Sequence, residues 1–280
     1  MNIFEAYNHA KKTLQKAGIE DFAFEARYII RHLTGYSNAQ ILTKYTENLS
    51  EFQQSNLTVI LRQREIRYPL QYALGYWSFF GRDYAVGPGV LVPRQDTESL
   101  VDKALEFLKA KPKAKVLDLC TGSGCIGITL AAENENVTVE LLEKYEEAAR
   151  FASENIARNK TYNATLFMGD VLNGDRNGNK YDLIVSNPPY IPKGEMETVS
   201  PEVKYEPETA LLGGEDGLDF YRAIIKNYKD SLNEGGMMCF EVGMGEANSV
   251  CELMKNAGFC DVGIKQDYNG IDRVVFGTAN

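Results

Sequence analysis

The chain has 280 residues, 44% hydrophobic and 25% charged, a balance that supplies a packed interior and excludes a disordered chain. Its apolar runs are strand-sized, and Met1-Asn2-Ile3-Phe4-Glu5-Ala6-Tyr7 lacks the basic-then-apolar layout of a secretion signal; a cytoplasmic protein that makes no use of a membrane is expected. A formal charge of −9 opposes long-range attraction to a nucleic-acid duplex, so no direct DNA binding is expected and a small molecule or a basic protein partner fits better.

In chain order, apolar residues first recur at helical spacing: Ile3, Tyr7, Ala10 and Leu14, then Phe22, Ala26, Ile29, Ile30 and Leu33. Gly18 and Gly35 fall where these helices should end. Ser50-Glu51-Phe52-Gln53 offers a capping box to a helix carrying Leu57, Ile60 and Leu61, with Pro69 as its stop. Residues 1–74 are therefore expected to form a small helical bundle. Tyr76-Trp77-Ser78-Phe79-Phe80, Gly81-Arg82-Asp83 and Tyr84-Ala85-Val86 read as an aromatic hairpin, and Gly87-Pro88-Gly89 and Pro93 punctuate the segment after it, giving a hairpin linker over 75–95. From Asp96, the expected N-cap of a helix carrying Leu100, Val101, Ala104 and Leu108, strands and helices alternate through 96–280. Strands are expected at Val116–Leu119, Val137–Leu142, Tyr181–Ser186 and Met237–Val242, with helices at Ile126–Ala132, Tyr145–Arg158 and Phe220–Leu232. This is the pattern of an α/β, doubly wound, mainly parallel sheet, whose ligands bind at the carboxyl ends of the strands. A final hairpin, Val262-Gly263-Ile264 and Arg273–Phe276 about Asn269-Gly270, adds an antiparallel strand at the edge.

Five cysteines without a Cys-x-x-Cys pair, and two histidines, His9 and His32, both early in the chain, disfavour disulfides, a zinc or other metal site, and a catalytic histidine. The chemistry must come from elsewhere. Asp118-Leu119-Cys120-Thr121-Gly122-Ser123-Gly124 leaves a strand and opens a helix, where bare backbone lets a ligand approach closely. Gly122, Gly124 and Gly127 satisfy the dinucleotide fingerprint, and Glu143 ends the next strand, where an acid would accept hydrogen bonds from ribose hydroxyls. These features leave a nicotinamide-dependent oxidoreductase and a methyltransferase both open; a tight strand-to-helix turn with no ligand is the bland alternative. The Asp-Leu-x-Thr-Gly-Ser-Gly form resembles the first motif of Rossmann-like, class I methyltransferases, and the edge hairpin resembles their added strand.

Asn187-Pro188-Pro189-Tyr190 ends the buried strand Leu183-Ile184-Val185, beside the glycine loop. An amide or aromatic amino nitrogen is a poor nucleophile because its lone pair is delocalised. Methylating it requires in-line placement and acceptors for its two N–H groups. The Asn187 side-chain oxygen and the Pro188 carbonyl are candidate acceptors, Pro188 and Pro189 stiffen the turn, and Tyr190 is expected to stack on the planar group. Charge develops on the nitrogen during transfer, so these acceptors bind the transition state more tightly than the ground state.

Several segments together resemble the HemK (PrmC) family, protein-(glutamine-N5) methyltransferases acting on peptide chain release factors: Pro69–Gly75, Pro88–Glu98, Asp118–Gly124, Ser186–Ile191, and Tyr205-Glu206-Pro207 on to Gly217–Tyr221. The Asn-Pro-Pro-Tyr motif alone is shared with adenine-N6 DNA methyltransferases; the helical N-terminal region and Pro-Arg-x-Asp-Thr-Glu point to this family. The resemblance implies S-adenosylmethionine as cofactor and S-adenosylhomocysteine as product, held by Cys120, Thr121, Gly122, Ser123, Gly124 and Glu143, with Asp170 and Val171 at the adenine and Asn187 nearby. It implies that Asn187, Pro188, Pro189 and Tyr190 hold a glutamine in a Gly-Gly-Gln loop, that 1–74 recognises the substrate, and that Arg94, Thr97 and Glu98 close over the cofactor. The acidic connection from 191 to 219 is a candidate lid that receives a basic substrate loop. A ribosomal-protein glutamine methyltransferase, an adenine-N6 DNA methyltransferase, a nicotinamide-dependent oxidoreductase and a non-catalytic binding module are the competing readings.

Overall fold

The computed structural model describes residues 1–174 and 178–280. They form two compact units, Met1–Tyr76 with Ser200–Tyr205, and Trp77–Val199 with Glu206–Asn280.

The first unit holds α1 (Ile3–Lys16), α2 (Phe22–Thr34), α3 (Asn38–Thr43), α4 (Glu51–Glu65) and α5 (Leu70–Leu74). Reciprocal capping boxes start three of them, at Asn2/Glu5, Ser37/Gln40 and Ser50/Gln53, which satisfies amide groups that a helix start leaves unpaired. Ala6, Ala10 and Leu14 of α1 meet Ala26, Ile29 and Ile30 of α2 and Leu57, Ile60 and Leu61 of α4 in the interior. Pro69 does not stop α4, which has already ended at Glu65; Arg67 turns the chain in the left-handed region with φ 64°, and Pro69 instead opens α5. The buried guanidinium of Arg64 is 2% exposed. It donates to both Glu25 oxygens at 2.8 Å, to the Tyr68 carbonyl at 2.6 Å and to Glu202 at 3.1 Å. Arg67 takes the same Glu202 carboxylate at 2.7 and 2.9 Å, and the Tyr205 hydroxyl donates to the Ile66 carbonyl at 2.9 Å. Residues 200–205 thus belong with the helices through ion pairs that no periodicity announces.

The second unit begins in a hairpin of β1 (Tyr76–Phe79) and β2 (Arg82–Ala85). Its two-residue turn has Phe80 and Gly81 both left-handed, φ 50° and 72°, the geometry that matches strand twist. The remaining elements are α6 (Glu98–Leu108), β3 (Lys115–Leu119), α7 (Cys125–Glu133), β4 (Thr138–Glu143), α8 (Glu146–Asn159), β5 (Ala164–Met168), β6 (Tyr181–Ser186), α9 (Asp219–Tyr228), β7 (Leu232–Glu241), α10 (Ala247–Asn256), β8 (Cys260–Gln266) and β9 (Asp272–Thr278). Strand order is β5-β4-β3-β6-β7-β9-β8. Neighbours are parallel up to β7, while β9 is antiparallel to both β7 and β8. The antiparallel strand of the terminal hairpin is therefore threaded inside β8, which forms the rim. Val116, Leu183, Val185, Met237 and Cys239 face a core shared with α6, α7 and the hairpin; Leu117, Ile184, Met238 and Phe240 face one shared with α9 and α10. Alternate residues of each strand serve opposite faces, as a sheet covered on both sides requires.

Local differences from the sequence pattern have identifiable causes. Asp96 does not cap α6: it lies inside a 3-10 turn, Gln95–Thr97, whose backbone is already helical, and its carboxylate faces Arg273 at 3.5 Å. Leu232 is the first residue of β7, because α9 stops at Tyr228 and a 3-10 turn comes next. The half-exposed β5 lacks a clean alternation of buried and open positions. By contrast α10, which the sequence pattern left unassigned, buries Ala247, Val250, Cys251 and Met254 at regular helical spacing.

Replacing Arg64 with Met should leave Glu25 and Glu202 without their shared cation and destabilise the helical unit by about 3–5 kcal/mol. Urea unfolding followed by helix circular dichroism measures it; a loss below about 1 kcal/mol would mean that the Arg64 network behaves as an exposed ion pair.

Candidate active site

Connections from β3 and β6 run in opposite directions across the sheet, so their carboxyl ends flank a crevice at the topological switch point. The glycine loop leaves β3 there. Cys120 adopts the left-handed φ of 56°, which costs a side-chain-bearing residue about 1 kcal/mol. Around it the loop is pinned by carboxylates. Asp118, fully buried, accepts the Thr121 hydroxyl at 2.5 Å and the Gly127 amide at 3.0 Å on one oxygen. Gly127 has no space for a side chain: a Cβ would stand 2.2 Å from Leu141 Cδ2 and 2.9 Å from Asp118 Oδ2. Glu143 accepts the Gly122 amide on one oxygen at 2.9 Å and the Lys144 and Tyr145 amides on the other, both at 2.9 Å. Three of a carboxylate's roughly four lone-pair positions are then used, and one is left for a ligand hydroxyl.

Asn155 is a supporting residue that sequence reasoning passed over. It is fully buried in α8. Its Nδ2 donates to the carbonyls of Ser123 at 2.9 Å and Ala85 at 3.1 Å, and its oxygen accepts the Ala85 amide at 2.6 Å. One side chain thus joins the glycine loop, the hairpin and α8. The available signal was a polar residue on the stripe of Ala148 and Ala152 at helical spacing.

A single cleft is lined by Cys120, Thr121, Gly122, Ser123, Glu143, Asp170, Val171, Asn187 and Pro189. Leu142, Leu172 and Phe220 supply apolar wall, Arg94 and Thr97 approach from the segment before α6, and Pro207, Thr209 and Ala210 from the long connection. Gly124, Pro188 and Tyr190 are not part of that lining. Gly124 sits against Ile128 and Ala152, where a Cβ would meet Ile128 Cδ1 at 2.5 Å. The Tyr190 ring is partly buried against the α9/α10 core, and burial drives its hydroxyl far above the ordinary phenol value. Asp170 accepts the Leu172 amide at 2.9 Å and pairs with Lys144 at 2.8 Å. The Cys120 thiol is held well above its usual value by burial and then by Glu143 and Asp118, which keeps it a neutral wall group.

The Asn187 turn is tied to the glycine loop from behind. Leu119 is level with Ser186, whose hydroxyl donates to the Leu119 carbonyl at 2.7 Å. Asn187 Nδ2 donates to Thr97 Oγ1 at 3.3 Å. Downstream, the chain returns so that the Ile191 amide donates to the Leu211 carbonyl at 2.8 Å and the Gly213 amide to the Ile191 carbonyl at 2.9 Å. Gly213 presses on the Tyr190 backbone so closely that a Cβ would lie 2.6 Å from Tyr190 Cα. The acidic connection is only partly solvated charge: buried Glu206 accepts the Val92 amide at 3.0 Å and pairs with Arg94. Glu202 belongs to the helical unit, Asp216 pairs with Arg222, and Glu195, Glu197, Glu208 and Glu215 remain exposed. Glu98 accepts the Phe80 amide at 2.8 Å, so it secures the hairpin and does not line the cleft.

A "PrmC N-terminal domain" model matches residues 5–75, and a "Methyltransferase small domain" model matches 97–202. Release factor glutamine methyltransferase of Geobacter sulfurreducens is 40% identical over 94% of this chain and 92% of its own length. The chain belongs to the release factor glutamine methyltransferase family. The Bacillus cereus member is 36% identical over 99% of both chains. A solved methyltransferase from Pyrococcus furiosus, 21% identical, shares the fold with a TM-score of 0.52 over 82% of this chain and all of that one. This family member is thus a methyltransferase with the α/β class I fold, and its family and fold imply dependence on S-adenosylmethionine. Among the described residues no helix is long and apolar enough to cross a membrane.

Burial raises the Asp118 carboxyl to about 7 against the opposing hydrogen bonds from Thr121 and Gly127, with the Glu143 charge adding to the rise. A carboxyl raised in the folded state contributes stability that is present below its unfolded value and is lost as pH rises through the folded one. Wild type should therefore lose thermal stability relative to Asp118→Asn between about pH 4 and 7. Parallel melting curves across that range check it; a constant gap between the two proteins would contradict it.

Proposed function

We propose that this enzyme transfers the methyl group of S-adenosylmethionine to the side-chain amide nitrogen, N5, of the glutamine in the Gly-Gly-Gln loop of peptide chain release factors. The observation that carries the reading is Asn187: its nitrogen is engaged by Thr97, which leaves its oxygen as an acceptor at a cleft that also contains the glycine loop and Glu143.

The residues suit the cofactor. In this reading Cys120, Thr121, Gly122 and Ser123 follow its amino-acid and sulfonium end, with Gly124 shaping the loop from behind. The remaining lone pair of Glu143 accepts a ribose hydroxyl, Val171 packs on the adenine, and Asp170 orders the wall beside it. When bound, S-adenosylmethionine supplies an electrophilic methyl and departs as S-adenosylhomocysteine.

Asn187 Oδ1 and the Pro188 carbonyl accept the two N–H groups of the glutamine amide. They withdraw its hydrogens from the plane of conjugation and aim the lone pair that forms the new N–C bond; one N–H proton is then released to solvent. Both acceptors strengthen as positive charge builds on the nitrogen. Pro188 and Pro189 hold the turn rigid, and Tyr190, partly buried against the α9/α10 core, stacks on the planar amide. The helical unit recognises the release factor, and the exposed Glu195 and Glu197 receive a basic segment of it.

Methyl-labelled S-adenosylmethionine should label a release factor and not its Gln-to-Ala loop variant; label confined to a ribosomal protein or to adenine-containing DNA would overturn the substrate assignment. Asn187→Ala should lower turnover by about 100-fold or more while leaving cofactor affinity within about threefold by calorimetry, a gap of less than about 1 kcal/mol. Reversing charge at Glu195 and Glu197 should raise the release-factor KM without changing cofactor affinity; an unchanged KM would mean that the acidic loop does not receive the substrate.

A further inference from the structure

The Asn187 amide works as an acceptor only if its oxygen, not its nitrogen, faces the substrate. The two ends of a carboxamide have nearly the same shape, so packing does not choose between them and hydrogen bonding must. Thr97, 2% exposed, does not decide by itself, since a hydroxyl donates to an oxygen as readily as it accepts from an N–H. The decision lies with the partner on its other side.

That partner is Glu241, the last residue of β7. Ser186 is level with Phe240 in the parallel β6/β7 pair, which brings Glu241 alongside Asn187. Glu241 is 1% exposed, and among the described residues its Oε2 is buried without a hydrogen-bond partner. The Thr97 hydroxyl is near enough to this carboxyl to oppose the rise in its pKa. An ionised carboxylate only accepts, so it compels Thr97 to donate to it; the Thr97 oxygen is then left to accept from Asn187 Nδ2, at 3.3 Å. The chain of donors runs one way and ends with Asn187 Oδ1 turned away from Thr97. We infer that Glu241, through Thr97, sets the amide orientation of Asn187 and so controls methyl transfer; Glu241 is a positioning residue that never touches the substrate. The inference rests on the proposed role of Asn187 as acceptor for the substrate amide.

The same arrangement gives the relay a pH dependence. Burial raises the Glu241 carboxyl to about 7; the Thr97 hydroxyl, Arg273 on β9 and Arg94 oppose the rise, and Asp96 adds to it. Tyr190, Tyr221 on α9 and Cys125 on α7 also feel its charge. Protonated Glu241 can donate to Thr97, which frees the hydroxyl hydrogen to point at Asn187 and makes the flipped amide equally comfortable. The competent orientation is therefore enforced above about pH 7 and relaxed below it.

The test compares the full-length wild type, Thr97→Val, Thr97→Ser and Glu241→Gln by kinetics on a release factor, by calorimetry with S-adenosylmethionine, and by the side-chain NH2 resonances of Asn187, identified by their absence in Asn187→Ala. Thr97→Val should lower kcat about 10- to 100-fold, a loss scaled to one mispositioned catalytic hydrogen bond, with cofactor affinity unchanged. Thr97→Ser, which restores the hydroxyl, should recover activity. Wild-type kcat and the Asn187 resonances should both titrate near pH 7, and Glu241→Gln should abolish both steps. Thr97→Val with wild-type kcat and resonances, or a titration that persists in Glu241→Gln, would overturn the relay. A wild type that labels no release factor, yet whose Asn187 resonances titrate and lose the step in Glu241→Gln, would overturn the substrate assignment and leave the relay standing.

Discussion

Parallel pairing of β3 with β6 is the constraint on which the site depends. Leu119 is level with Ser186, and the Ser186 hydroxyl clasps the Leu119 carbonyl at 2.7 Å. The glycine loop and the Asn187 turn both start one residue later, so their separation is set by inter-strand spacing, about 4.8 Å, and not by loop conformation. Two groups that must meet with sub-ångström tolerance are better placed at the ends of buried strands than on independent loops. The loops then need only to leave the sheet in the right directions. Asp118 and Glu143 hold one of them through amide hydrogen bonds, while Pro188, Pro189 and the close packing of Gly213 hold the other.

What could be read from the sequence depends on the trace each interaction leaves there. Buried strands such as Leu183–Val185 and helix stripes such as Ala6, Ala10 and Leu14 repeat with a period, so the α/β order and the helical N-terminal region were legible. The glycine loop and Asn187 were legible because local backbone chemistry dictates their residue types. Asn155, Glu206 and Glu241 were not, because each acts through partners far away in the chain: Asn155 on Ala85, Glu206 on Val92, Glu241 beside Asn187. A single carboxylate in a sequence looks the same whether it is solvated or buried. Tyr190 differs again; its residue type suits stacking on a substrate, and its partial burial against the α9/α10 core left no trace in the sequence.

The same ambiguity governs the charge. A net −9 suggests a uniformly acidic surface, yet several carboxylates are interior components. Asp118, Glu241 and Glu246 are all raised to about 7, first by burial, whereas Glu202 and Asp182 are lowered by their hydrogen-bonding partners against burial. Near neutrality the molecule therefore carries groups poised to change charge despite having no histidine at the cleft, where other proteins would use one for that purpose.

The discontinuity of the helical unit has a consequence for biosynthesis. Its Arg64 and Arg67 guanidinium groups share Glu202, which the ribosome delivers only after β3, β4, β5 and β6 have been made. Helices α1 to α4 leave the exit tunnel before it and must wait, with Arg64 paired only to Glu25 and Arg67 without Glu202, while most of the parallel sheet is synthesised. Nascent-chain maturation is consequently not a simple sequence of one finished unit after another: the helical unit is completed by a segment made after much of the sheet.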